Sequence, residues 1–109
     1  MVLFTDVKEV MEQSGEQNSY TLLDERNGCV AGCRSGITIY RSTEFGKGGI
    51  HEDQEGFFVL SGEGVARIGE NEFPIYEGMS FLAPAGVRHT IKSNCKEVPV
   101  KVFWFHSAV

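Results

Sequence analysis

Between Thr5 and Gly15, apolar Val7, Val10 and Met11 recur at helical spacing behind Asp6, with Glu9 three places on and Gly15 at the far end. That arrangement predicts a short N-terminal helix capped by Asp6. Beyond it the apolar period changes to two. Short runs bounded by Gly, Asn, Asp or Pro fall at about 19–25, 29–33, 37–43, 56–60, 64–68, 72–76, 80–83, 87–92 and 98–105. Nine predicted strands at near-even spacing indicate an all-β sandwich or barrel. The tetrapeptide GENE at 69–72 separates two of them and reads as a hairpin turn. Pro74, which has no N–H to give to a ladder, places the second of those strands at a sheet edge.

The alternation also assigns faces. In the run 87–92, Val87, His89 and Ile91 share one side and Arg88, Thr90 and Lys92 the other, so His89 is expected to point into the core, where a polar ring needs a partner. Residues 57–60 and 102–105 are apolar on both faces, which calls for an outer cover, and in a chain of this size a second copy is the expected cover. His51, Asp53 and Glu55 alternate, so an extended backbone would send all three to one side. Phe57 and Val59 share the parity of Glu55 and are expected to line the space beneath it, joined by Met79 and Phe81. The facing of Tyr40, Tyr76 and Trp104 is left open. Gly46, Gly48 and Gly49 just before His51 read equally as a bend that swings this segment over the barrel mouth and as a flexible surface loop.

With 109 residues and 13 glycines, the chain is the size of one turn-rich domain, expected over 1–109. A net charge of −5 argues against nucleic acid and anionic membranes as partners. No apolar stretch approaches about 18 residues, and Asp6, Lys8 and Glu9 stand where a signal peptide would be apolar, so a cytoplasmic location is expected. Cys29, Cys33 and Cys95 are an odd number and fit free thiols better than a disulfide framework.

The chemistry-bearing residues are His51, Glu55 and His89: two imidazoles and one carboxylate, a set that leaves positions open on a divalent transition metal. Taken singly, each is weak. HEDQE at 51–55 is also a solvated bend, and a lone inward histidine is also a hydrogen-bonded core residue. Together they sit in a pattern that resembles the cupin superfamily. Gly78, Pro84, Gly86 and His89 match its second motif, G-x5-P-x-G-x2-H-x3-N, with Asn94 one position late. His51, Glu55 and Gly62 match its first, G-x5-H-x-H-x3,4-E-x6-G, with His51 as the second histidine. GFFVLSGEG at 56–64 is similar to the strand and turn that follow the family's glutamate.

The resemblance covers about 37–106 and implies a cupin-type jelly-roll β-barrel. It implies a bound divalent metal (Fe, Zn, Mn or Ni) held by His51, Glu55 and His89. The pattern departs in two places: Gly49 stands where the family has its first histidine, and Thr43 where it has the leading glycine. One ligand of a three-histidine, one-glutamate site is therefore missing. His106 and Cys33 are conceivable replacements that no spacing favours. His51-Glu52-Asp53 also fits the H-x-D of iron and 2-oxoglutarate oxygenases, which would make Asp53 the carboxylate. No arginine after His89 holds the co-substrate, so Glu55 is preferred and Asp53 is the alternative.

For function, the resemblance implies a metal-dependent enzyme, an oxidoreductase such as a dioxygenase or an isomerase, acting on a small polar metabolite. The alternative it implies is a non-catalytic cupin binding a sugar or carboxylate.

Overall fold

The N-terminal helix forms where the capping pattern predicts it. In a computed structural model describing residues 1–108, α1 spans Val7–Ser14. The Asp6 carboxylate accepts from the backbone N–H groups of Lys8 and Glu9 at 2.9 and 3.3 Å, satisfying donors that a helix start leaves free. Gly15, at φ 75°, ends the helix. None of its residues is buried, so α1 lies outside the core. Val109, the last residue of the expected domain, lies outside the described residues.

Eight strands follow: β1 (Ser19–Leu23), β2 (Arg34–Tyr40), β3 (Glu55–Ser61), β4 (Glu63–Ile68), β5 (Asn71–Tyr76), β6 (Ser80–Ala83), β7 (His89–Ser93) and β8 (Val100–His106). They form two antiparallel sheets, one ordered β1-β2-β8-β3-β6 and the other β5-β4-β7. The expected all-β, cupin-type sandwich or barrel is thus what the chain adopts. Pro74 sits on the edge strand β5, and residues 69 and 70 turn the chain between β4 and β5, both as expected.

Of the nine predicted strands the second, 29–33, is not formed. Asp24 and Asn27 cap each other across a 3-10 turn (Glu25–Asn27), and Gly28 leaves it with φ 99°. Cys33 N–H then donates to the Val30 carbonyl at 3.1 Å across Ala31 and Gly32, both at positive φ. Local turn bonds thereby override the apolar alternation of Cys29–Cys33. β7 starts at His89 instead of 87, because Val87 N–H closes a turn onto the Pro84 carbonyl at 3.1 Å.

The core is built from inward positions of both sheets: Phe57 and Val59 of β3, Val100, Val102 and Trp104 of β8, Ala66 and Ile68 of β4, Ile75 of β5 and Ile91 of β7. Each fully buried side chain of this kind contributes about 1.5–3 kcal/mol of transfer free energy. Met79 and Phe81 pack against this cluster. Phe57 lies parallel to Phe81, ring centroids 4.8 Å apart. The outward residues Phe58, Leu82 and Phe105 remain more than two-fifths exposed in the single chain.

Register determines what gathers at one end of the sandwich. Glu55, the first residue of β3, stands opposite His106, the last of β8. His89, the first of β7, stands opposite Ile68 on one side and Gly49 on the other. The Gly49 bridge is closed twice: Gly49 N–H donates to the His89 carbonyl at 2.8 Å, and His89 N–H to the Gly49 carbonyl at 2.9 Å. The glycine-rich segment is therefore docked on β7, and His51 is carried in two residues later. No helix among the described residues is long and apolar enough to cross a membrane.

Candidate metal centre

One carboxylate oxygen is the hub of this end of the sandwich. Glu55 Oε1 lies 3.5 Å from His51 Nε2, 3.2 Å from His89 Nε2 and 3.4 Å from His106 Nε2. The donor atoms of His51, Glu55 and His89 all lie within 4.8 Å of one another. His89 and Glu55 are buried, and the His51 side chain, 35% exposed, forms the open side. Aromatic walls hold the buried rings edge-on, with Phe57 5.8 Å from His89 and Trp104 5.5 Å from His106. His51 sits between the other two rings, 5.1 Å from His89 and 5.2 Å from His106.

The three residues singled out by the motifs are thus brought together, and a fourth joins them. His106 is the last inward position of β8, and its Nδ1 is 2.8 Å from Asp53 Oδ2. Asp53, the alternative carboxylate, does not face the His51–Glu55–His89 group; it holds the back of His106 instead. Cys33, the other conceivable replacement, is exposed and outside the group. Alternation alone hides His106 because four side chains of that parity, from Val100 to His106, read as ordinary core. The signal that exposes it is the β3–β8 register, which sequence spacing does not carry.

Electrostatics follow from this packing. The Glu55 carboxylate beside His89 raises the imidazole pKa, against the opposing effect of burial. Burial pushes the Asp53 carboxyl up, but the hydrogen bond of His106, with the ring's charge when it is protonated, outweighs it and holds the group below the usual range. Burial, reinforced by the charge of Glu55, raises the Tyr40 phenol, which stays protonated as a donor throughout the physiological range. The Nδ1 atom of His89 is buried without a hydrogen-bond partner.

Beside the cluster is a cavity of about 460 Å³ whose wall includes Tyr40, Gly49, His89 and Ile91. That volume is within the usual range for small-molecule sites, about 300–1,000 Å³. Phe45, also in the wall, is held beneath the Arg67 guanidinium at 4.1 Å and the Lys92 ammonium at 4.8 Å from its ring. An ideal Cβ at Gly49 would stand 3.3 Å from His51 Nε2 and 3.5 Å from His89 Nε2. The absence of a side chain there leaves the two imidazoles room to converge. Donor type, spacing and this space all fit a divalent transition metal.

A two-sheet β-sandwich with imidazoles and a carboxylate converging at one end defines a small barrel whose donor group could hold a metal. The chain belongs to the cupin family: the family model described as Cupin domain matches residues 43–106, well over half of it. Among solved structures, the Schizosaccharomyces pombe Cnp3 cupin domain is similar with a TM-score of 0.71 and 17% identity, over 85% of this chain and 63% of that one. The protein TT1209 from Thermus thermophilus is similar with a TM-score of 0.70 and 18% identity, over 99% of this chain and 100% of that one. An iron(II) form of HppE gives a TM-score of 0.65 and 17% identity, over 82% of this chain. The matched region is only 48% of that enzyme's chain. Comparison with curated proteins finds no sequence match.

Proposed function

We propose that this chain is a metal-dependent cupin in which His51, Glu55 and His89 bind a divalent transition metal and the adjoining cavity admits a small polar metabolite. The observation that carries this reading is the convergence within 4.8 Å of three donors, two from the segment entering β3 and one from β7, beside a cavity of about 460 Å³. When bound, such an ion supplies Lewis acidity or, if redox-active, oxygen activation. The protein's own contribution is positional. Docking of Gly49 on β7 brings His51 over the buried pair, Phe57 walls His89 from below, and Tyr40 offers the cavity a protonated hydroxyl. An iron(II) site in the structurally similar HppE supports a metal in this fold. The absence of a side chain at Gly49 leaves unfilled the space between the His51 and His89 rings.

The test is elemental analysis of untagged protein. His89→Ala and Glu55→Ala should each lose stoichiometric metal while circular dichroism still reports a folded β-protein. Full metal content in both variants overturns the reading.

A further inference from the structure

We infer that His106 is an additional metal ligand, oriented by Asp53, and that it supplies from β8 the imidazole that Gly49 lacks. The inference rests on the proposed metal site and deepens it. A neutral imidazole carries one N–H and one lone pair. The Nδ1 of His106 faces Asp53 Oδ2 at 2.8 Å, so its proton resides there and the lone pair is on Nε2. That lone pair stands 3.4 Å from Glu55 Oε1, which is also an acceptor, in a side chain only 3% exposed. With the ring neutral, two acceptors facing each other away from water repel unless a cation lies between them, a proton in the metal-free protein and the metal ion in the loaded one.

The same oxygen has His51 and His89 Nε2 at 3.5 and 3.2 Å, so the separation of His106 matches those of the two motif histidines. Bonds of about 2.0–2.2 Å to one ion, at angles between right-angled and tetrahedral, separate neighbouring donors by about 2.8–3.6 Å. All three nitrogens fall in that interval from Glu55. A carboxylate behind the non-coordinating nitrogen is also the usual arrangement around a ligating histidine, since it sets tautomer and ring orientation. Among the described residues His106 has such a carboxylate hydrogen bond, and no carboxylate is hydrogen-bonded to the Nδ1 of His89. His106 is not one of the three residues whose donors share the 4.8 Å span, and it reaches the group through Glu55. It therefore joins the set by a closing movement, which an imidazole count detects.

The probe is Co(II) for X-ray absorption and Zn(II) for NMR, on the full chain. Co(II)-loaded wild type should show three imidazoles, and His106→Gln should show two, with a metal dissociation constant weakened at least 10-fold. Asp53→Asn should weaken it about 10- to 100-fold. In NMR, the imidazole nitrogen shifts of His106 should move its Nε2 into the metal-bound range on adding Zn(II) while Nδ1 stays protonated, a change that a purely structural role for His106 would not produce. Two imidazoles in the wild type, or unchanged affinity in His106→Gln, overturns the inference while leaving the site of His51, Glu55 and His89 intact. No Co(II) uptake by the wild type overturns both. Should His106→Gln fail to fold, the wild-type count decides alone.

Discussion

Replacing Gly49 with alanine separates the site from the scaffold. Gly49 lies outside the left-handed region, so an alanine there imposes no backbone strain, and its two hydrogen bonds to His89 are made by main-chain atoms that the change keeps. On the metal-free fold, the reduced entropy of the unfolded chain should add about 0.4–1 kcal/mol of stability. The melting temperature should then rise by a few degrees, at about 4–8 °C per kcal/mol for a domain of this size. On the site the effect is opposite. The new methyl would stand 3.3 Å from His51 Nε2, closer than ordinary van der Waals contact, and 3.5 Å from His89 Nε2. His89 is held in a strand and buried, whereas His51 lies on a bend with its side chain 35% exposed, so His51 gives way by a few tenths of an ångström. Metal sites tolerate about 0.2 Å. A ligand displaced beyond that should weaken the metal dissociation constant about 10-fold, roughly 1.4 kcal/mol. Thermal melts in chelator and competition titrations with Co(II) read the two effects separately. Wild-type affinity in Gly49→Ala would refute the claim that this glycine makes room for converging ligands.

The neighbouring glycine should behave in the opposite sense. Gly48 has φ 74° and an added Cβ would collide with the His89 carbonyl oxygen, so Gly48→Ala should cost at least about 1–2 kcal/mol and lower the chelated melting temperature; an unchanged melt would contradict this. The raised pKa of His89, due first to Glu55 and opposed by burial, predicts a pH dependence of the metal-free protein. The protonated pair stabilises fully below the ordinary histidine value of 6.5, and that contribution is lost as pH rises through the raised value. Glu55→Gln should flatten that part of the melting profile, and identical profiles for the two proteins would reject the pairing. Phe58, Leu82 and Phe105 lie on the outward side of β3, β6 and β8, and we propose that a second copy covers them. Solution scattering should then give the mass of two chains, and a one-chain mass would count against it.

Helix, hairpin, edge strand and inward histidine were legible because each depends on neighbours within a few residues. Asp6 with Glu9 sets the helix start, residues 69–70 between apolar runs set the hairpin, and Pro74 sets an edge. The failure at Cys29–Cys33 has the same physical origin. Its alternation suits a strand, but Asp24, Asn27 and Gly28 offer closer hydrogen bonds, Gly32 supplies a positive φ, and a turn made locally takes precedence over a pairing that needs a distant partner.

His106 could not be found by that route, because membership of the site is decided by parity and register across strands and not by distance along the chain. Glu55 faces His106 from the adjacent strand, and Gly49 faces His89 across an isolated bridge. All four positions therefore border the same end of the sandwich. A position so placed can carry a ring or leave space, and the local folding signals around it are the same in either case. That is why Gly49 reads in sequence as the loss of a ligand, whereas in three dimensions the space around it is shared by His51 and His89, with His106 5.2 Å from the His51 ring. The change at Gly49 and the histidine ending β8 are then two parts of one arrangement, with Asp53, read along the chain as a competing ligand, serving as the anchor that aims His106.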